Sequence, residues 1–164
     1  MTAVPAPSLT LDRIDRKILQ ELMQDATLPV TQLAERVGLS QTPCWKRVQK
    51  LEAAGVIFGR VALVDPARIG LGLTVFVEIE ATDHTPEWRA AFATVVADYP
   101  EILEVHRMAG EVDYMLKVVV SGMAAYDALY LDLTQRVPCR NVTSKFSMER
   151  IKTTTVLPID TSAA

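Results

Sequence analysis

Cysteine is scarce in this chain: Cys44 and Cys139 are the two in 164 residues. No secretory signal precedes them, so they do not read as a disulfide framework. Histidine is as rare. His84 and His106 lie far apart, and no Cys or His stands near a second at metal-ligand spacing, so no metal centre is expected. No apolar run approaches the roughly 20 residues that span a bilayer. Met1 to Ser8 holds two prolines and no cationic stretch followed by an apolar one, which reads as a loose arm rather than a leader. A nucleophile–base pair and a glycine-rich phosphate loop are also missing, so an enzyme is not expected. The expectation is a reduced, cytoplasmic, non-enzymatic protein without a cofactor.

Positive charge is in short supply overall, with a net charge of −3. The mean hides an asymmetry. Residues 1–60 carry eight of the 17 basic and six of the 20 acidic side chains, a surplus of two positive charges. The remainder carries nine and 14. From Arg36 to Arg60 five basic residues face one acid, Glu52. A locally basic segment on an acidic body suits phosphate contact, though a merely solvated charged face fits charge alone equally.

A hydrophobic content of 49% is ample for packed cores. Leu11, Ile14, Ile18, Leu19 and Leu22 recur at helical spacing, with Thr10 as a candidate N-cap and Asp12 and Asp15 in the first turn. Thr31 is the candidate cap of a short second helix that ends at Gly38. Ser40 caps a third, with Pro43 in its first turn, running to about Ala54. Val56 to Val64 reads as a short extended segment. The strand-like stretches Leu73–Glu80, Ile102–Met108, Tyr114–Val120 and Val142–Ile151 interleave with helical ones at Pro86–Tyr99 and Ala124–Val137, a split βαββαβ order. The expected divisions are a flexible arm over 1–9, a helix-turn-helix domain over 10–58 and a linker with a β-strand over 59–72. A ligand-binding and oligomerisation domain follows over 73–158, then a flexible tail over 159–164.

The second and third helices, joined by a glycine turn, are arranged as a helix-turn-helix. Cys44, Val48 and Leu51 share one face of the third helix and read as core. For Cys44 a redox-sensing thiol is the alternative. Gln41, Thr42, Trp45 and Lys46 stand early on the other side, where base edges of a major groove are reached. Arg47 and Lys50 read as phosphate contacts, and Ser40 as both cap and phosphate contact. Trp45 has a second reading, packing against protein. In the second module, Gly110 to Asp113 is a tight turn with two acids. It suits either turn geometry alone or capture of an ammonium by Glu111 and Asp113 beside backbone N–H groups that hold a carboxylate.

Asp12-Arg13-Ile14-Asp15-Arg16-Lys17-Ile18-Leu19, Leu33 to Val48 and Leu51-Glu52-Ala53-Ala54-Gly55-Val56-Ile57 together resemble the Lrp/AsnC (feast/famine) transcriptional regulators. The likeness continues through Val61 to Pro66, Val75 to Ile79 and Ala109 to Lys117, and covers about residues 10–158. Gln41-Thr42-Pro43-Cys44-Trp45 is most similar to the leucine- and cysteine-responsive branch. The resemblance implies an α+β fold: an N-terminal winged helix-turn-helix and a C-terminal ferredoxin-like (RAM/ACT-like) domain. It implies a DNA-binding regulator that answers to a small amino acid, with cysteine and leucine as candidates. Carried over, the effector residues are Met108, Ala109, Gly110, Glu111 and Asp113; the family often has Asp where this chain has Glu111. It also implies dimers, assembled four to a ring, that grip double-stranded DNA. Phe76, Met115, Val119 and Phe146 are the side chains expected to face a partner. The competing expectation is an amino-acid-binding module that acts through protein contacts without DNA.

Overall fold

A computed structural model describes residues 9–162. The chain divides into two compact units, residues up to Ala62 with Lys152 onward, and Leu63–Ile151.

The first unit holds α1 (Arg13–Gln24), α2 (Val30–Val37) and α3 (Gln41–Ala53). Helix α1 is capped two residues later than Thr10 suggests. Asp12 is its N-cap, and its carboxylate accepts from the Asp15 amide while the Asp15 carboxylate accepts from the Asp12 amide. This reciprocal capping box satisfies two orphan donors at once, which a lone threonine does not. Pro29, not Thr31, stands at the cap of α2. Its ring fixes the backbone there and leaves Thr31 inside the helix. Gly38 ends α2 in the left-handed region at φ 74°. Ser40 occupies the cap position of α3 but makes no side-chain capping bond. Ile18, Leu33, Ala34, Val37, Cys44 and Leu51 form the buried centre.

The second unit is a four-stranded antiparallel sheet in the order β2-β3-β1-β4, made of β1 (Leu73–Ala81), β2 (Ile102–Arg107), β3 (Tyr114–Val120) and β4 (Cys139–Phe146). Helices α4 (Pro86–Ala97) and α5 (Met123–Arg136) supply the apolar side chains that its inner face buries. Val75, Val77 and Ile79 alternate inward from β1, as the period of two requires. Trp88, Phe92 and Val95 of α4 and Tyr126, Leu129 and Leu133 of α5 meet them.

Several expected boundaries shift. Strand β4 starts at Cys139, three residues early, because Arg140 and Asn141 pair with Glu80 rather than with apolar neighbours. It stops at Phe146, with a last backbone bond from the Ser147 amide to the Thr74 carbonyl near the start of β1. Residues 56–65 form no strand, since no strand among the described residues pairs with them. Phe58, Val61 and Leu63 stand outward, Phe58 at 98% exposure. The tail does not stand apart: Ile159 packs against the helical core, and Arg16 Nη1 donates to the Asp160 carbonyl at 3.3 Å.

Phe146 also departs from expectation. It pairs in register with Val75, so it points to the helix side, where it meets the Tyr126 ring edge-on at 5.4 Å. Phe76 and Met115 do lie on the open face. Val119 shares that face but is 4% exposed, in a hollow it lines with Ile69, Leu71 and Leu103.

Candidate nucleic-acid interface and effector turn

The glycine turn sets the angle between α2 and α3. The amide of Leu39 closes on the Ala34 carbonyl at 2.8 Å and that of Cys44 on the Ser40 carbonyl at 3.2 Å, so the chain leaves one helix and enters the next within three residues. Cys44, Val48 and Leu51 then bury one side of α3. Burial pushes the Cys44 thiol up, which disfavours the thiolate that redox sensing needs. Ser40, Gln41, Thr42, Trp45, Lys46, Gln49 and Lys50 are all exposed on the opposite side. Trp45 is 52% exposed and also walls a shallow cleft of about 160 Å³ with Leu22, Leu28 and Val30. Its indole is thus partly packed on its own domain and partly exposed.

The cations sort into two groups. Arg36 pairs with Glu21 at 2.9 Å and Arg60 with Glu52 at 2.9 Å. Arg47, expected as a phosphate contact, turns instead to α1: its Nη1 lies 2.6 Å from Asp12 and 2.7 Å from Asp15. Asp15 is 1% exposed, and a carboxylate buried to that degree needs such a partner. The capping bond from the Asp15 amide, with Arg47 beside it, holds the Asp12 carboxyl below its ordinary range. Lys46 and Lys50 have no ion pair among the described residues.

The candidate effector turn joins β2 to β3. Met108, Ala109, Gly110 and Glu111 are exposed, and Gly110 adopts φ 137°, which side chains rarely take. Asp113 is occupied differently. Its Oδ2 accepts from the Ala81 amide at 2.8 Å, its own amide donates to the Ile79 carbonyl at 3.0 Å, and its Oδ1 faces His84 Nδ1 at 3.7 Å. Asp113 therefore ties the turn to the end of β1, the structural reading the sequence left open. His84 had no sequence signal, because it stands 29 positions from Asp113 and only sheet pairing brings the two together.

An exposed recognition helix on a three-helix unit, joined to a βαββαβ module, defines a one-component transcription regulator: one part for DNA and one for a signal. The comparisons agree. Residues 11–57 match the winged helix-turn-helix DNA-binding model and residues 74–157 the Lrp/AsnC ligand-binding domain. The chain is 53% identical to the DNA-binding transcriptional activator DecR of Escherichia coli, over 92% of this chain and 99% of the relative. It is similar to the crystal structure of an AsnC-family regulator from Agrobacterium tumefaciens, with TM-score 0.87, 52% identity and coverage of 90% and 97%. A regulator from Neisseria meningitidis in complex with L-Met matches at TM-score 0.87 and 37% identity, covering 91% and 97%. The chain belongs to the Lrp/AsnC family and is a DNA-binding transcriptional regulator with an Lrp/AsnC ligand-binding domain.

Proposed function

We propose that this regulator reads base edges with Gln41, Thr42, Trp45 and Lys46, holds phosphates with Ser40 and Lys50, and changes its DNA grip when a small amino acid binds at Met108–Glu111. The observation that carries the reading is the outward row on α3, exposed and, at Lys46 and Lys50, uncommitted to any acid within the described residues. Arg47 does not belong to the phosphate set. The L-Met complex of the Neisseria relative supports an amino acid as effector; cysteine and leucine remain the candidates from the sequence resemblance. Self-association, with assemblies of four dimers as the family resemblance implies, gives effector and DNA a shared state to act on, because coupling requires an effector that binds two assemblies unequally.

Three measurements test this. Lys46→Ala should weaken preference for a selected site while leaving the melting temperature near that of the wild type. Lys50→Ala should make the salt dependence of binding shallower by roughly 0.9 for each phosphate the side chain neutralises. A thermal-shift screen against the standard amino acids should show one that raises the melting point, since a ligand that prefers the native state stabilises it. If none does, the effector part of the reading fails.

A further inference from the structure

We propose that Arg47 is a positioning residue: its ion pairs with Asp12 and Asp15 lock the recognition helix α3 against the N-terminus of α1 and so fix where the base-reading side chains fall. The apolar packing of Cys44, Val48 and Leu51 sets how deeply α3 sits. It also fixes which side of the helix faces inward, but apolar contacts resist a small rotation or slide less steeply than a directional bond does. A charge-assisted hydrogen bond is directional, and this one is double: one Nη1 reaches Asp12 Oδ2 at 2.6 Å and Asp15 Oδ1 at 2.7 Å.

The anchor on α1 is itself rigid. Asp12 and Asp15 cap each other through their backbone amides at 2.8 and 3.3 Å, so neither carboxylate is free to follow a drifting helix. Asp15 is the buried charged side chain of the described core, and Arg47 is the cation that compensates it. The position of Arg47 gives it leverage. It directly follows Lys46 and stands near the middle of α3, so a small rotation there carries Gln41, Thr42, Trp45 and Lys46 with it. A phosphate approaching Arg47 would meet two carboxylates already against the guanidinium, which argues against a phosphate role.

Positioning and phosphate contact differ in two readouts. The wild-type protein first enriches a duplex from a random-sequence pool, which reports on DNA binding itself. Arg47→Ala and Asp12→Asn are then compared with wild type on that duplex and on a scrambled one, across a salt series and below every melting temperature. Positioning predicts that Arg47→Ala loses on the order of tenfold in preference for the enriched over the scrambled duplex, within the range of direct coupling between neighbouring residues. It also predicts an unchanged salt slope. Asp12→Asn should lose preference in the same direction, although it removes a negative charge near the DNA-facing helix. Equal weakening on both duplexes with a slope shallower by roughly 0.9 makes Arg47 a phosphate contact and overturns the proposal. Wild-type preference in Asp12→Asn overturns it as well. Asparagine is as good an N-cap as aspartate, so this variant decides the matter even if Arg47→Ala does not fold.

Discussion

Arg47 reads from sequence as a phosphate contact and Asp113 as either a turn residue or an effector contact, and both are engaged inside the protein. The Asp113 carboxylate accepts the amide of Ala81, a residue 4% exposed. Removing it leaves a buried donor unpaired, at a cost of about 1–3 kcal/mol. Asp113→Ala should therefore lower the melting temperature, whereas Asp113→Asn, which keeps an acceptor oxygen, should not. If Asn also leaves the amino-acid response intact, the Asp113 charge has no part in effector binding; if the response disappears at full stability, the carboxylate serves both tasks. Thermal melts with and without the effector separate these. The partners of neither were legible in sequence. The partners of Arg47 lie 35 and 32 positions away, and that of Asp113 lies 32 away. Pairing over such distances leaves no local pattern.

The helices and strands were legible where local chemistry governs them. Gly38 marked the end of α2, and the i, i+4, i+7 spacing of Cys44, Val48 and Leu51 marked the inner side of α3. Tyr114–Val120 forms β3 over the span its apolar run suggests. Errors gathered where an element depends on a neighbour. Strand β4 begins at Cys139 because Glu80 on β1 receives the side chains of Arg140 and Asn141, and Phe146 faces the helices because the Ile79–Val142 pairing sets its parity. A one-residue shift would have sent it to the other face. The tail belongs to the same category. Leu157 donates its amide to Met23 Sδ, Ile159 covers part of the helical core, and Arg16 reaches the Asp160 carbonyl. A chain ending at Thr155 gives up this apolar cover and hydrogen bonding, and should be less stable by about 1–2 kcal/mol. That is a drop of a few degrees in melting temperature. An unchanged melt would show the tail to be a passive appendage.

Apolar side chains on the segment that links the two units remain exposed. Phe58, Val61 and Leu63 are between 76% and 98% exposed, on a segment without strand partners among the described residues. A second copy that covers them would gain about 1.5–3 kcal/mol for each fully buried side chain, which suits the self-association proposed above. Phe58→Asp with Val61→Asp should shift the protein to a smaller species in sedimentation velocity while its helical signal stays unchanged. An unaltered oligomer would move the interface elsewhere, to the open face around Phe76 and Met115. Short-range physics, readable along the chain, settles the helices from a period of 3.6, the strands from a period of two, the glycine turn between α2 and α3, and the outward row on α3. Packing settles which of the outward charges are available. Lys46 and Lys50 make no ion pair among the described residues while Arg47 and Asp113 are held, because whether a charged group meets solvent, DNA or a distant carboxylate depends on which elements the fold brings within hydrogen-bond reach.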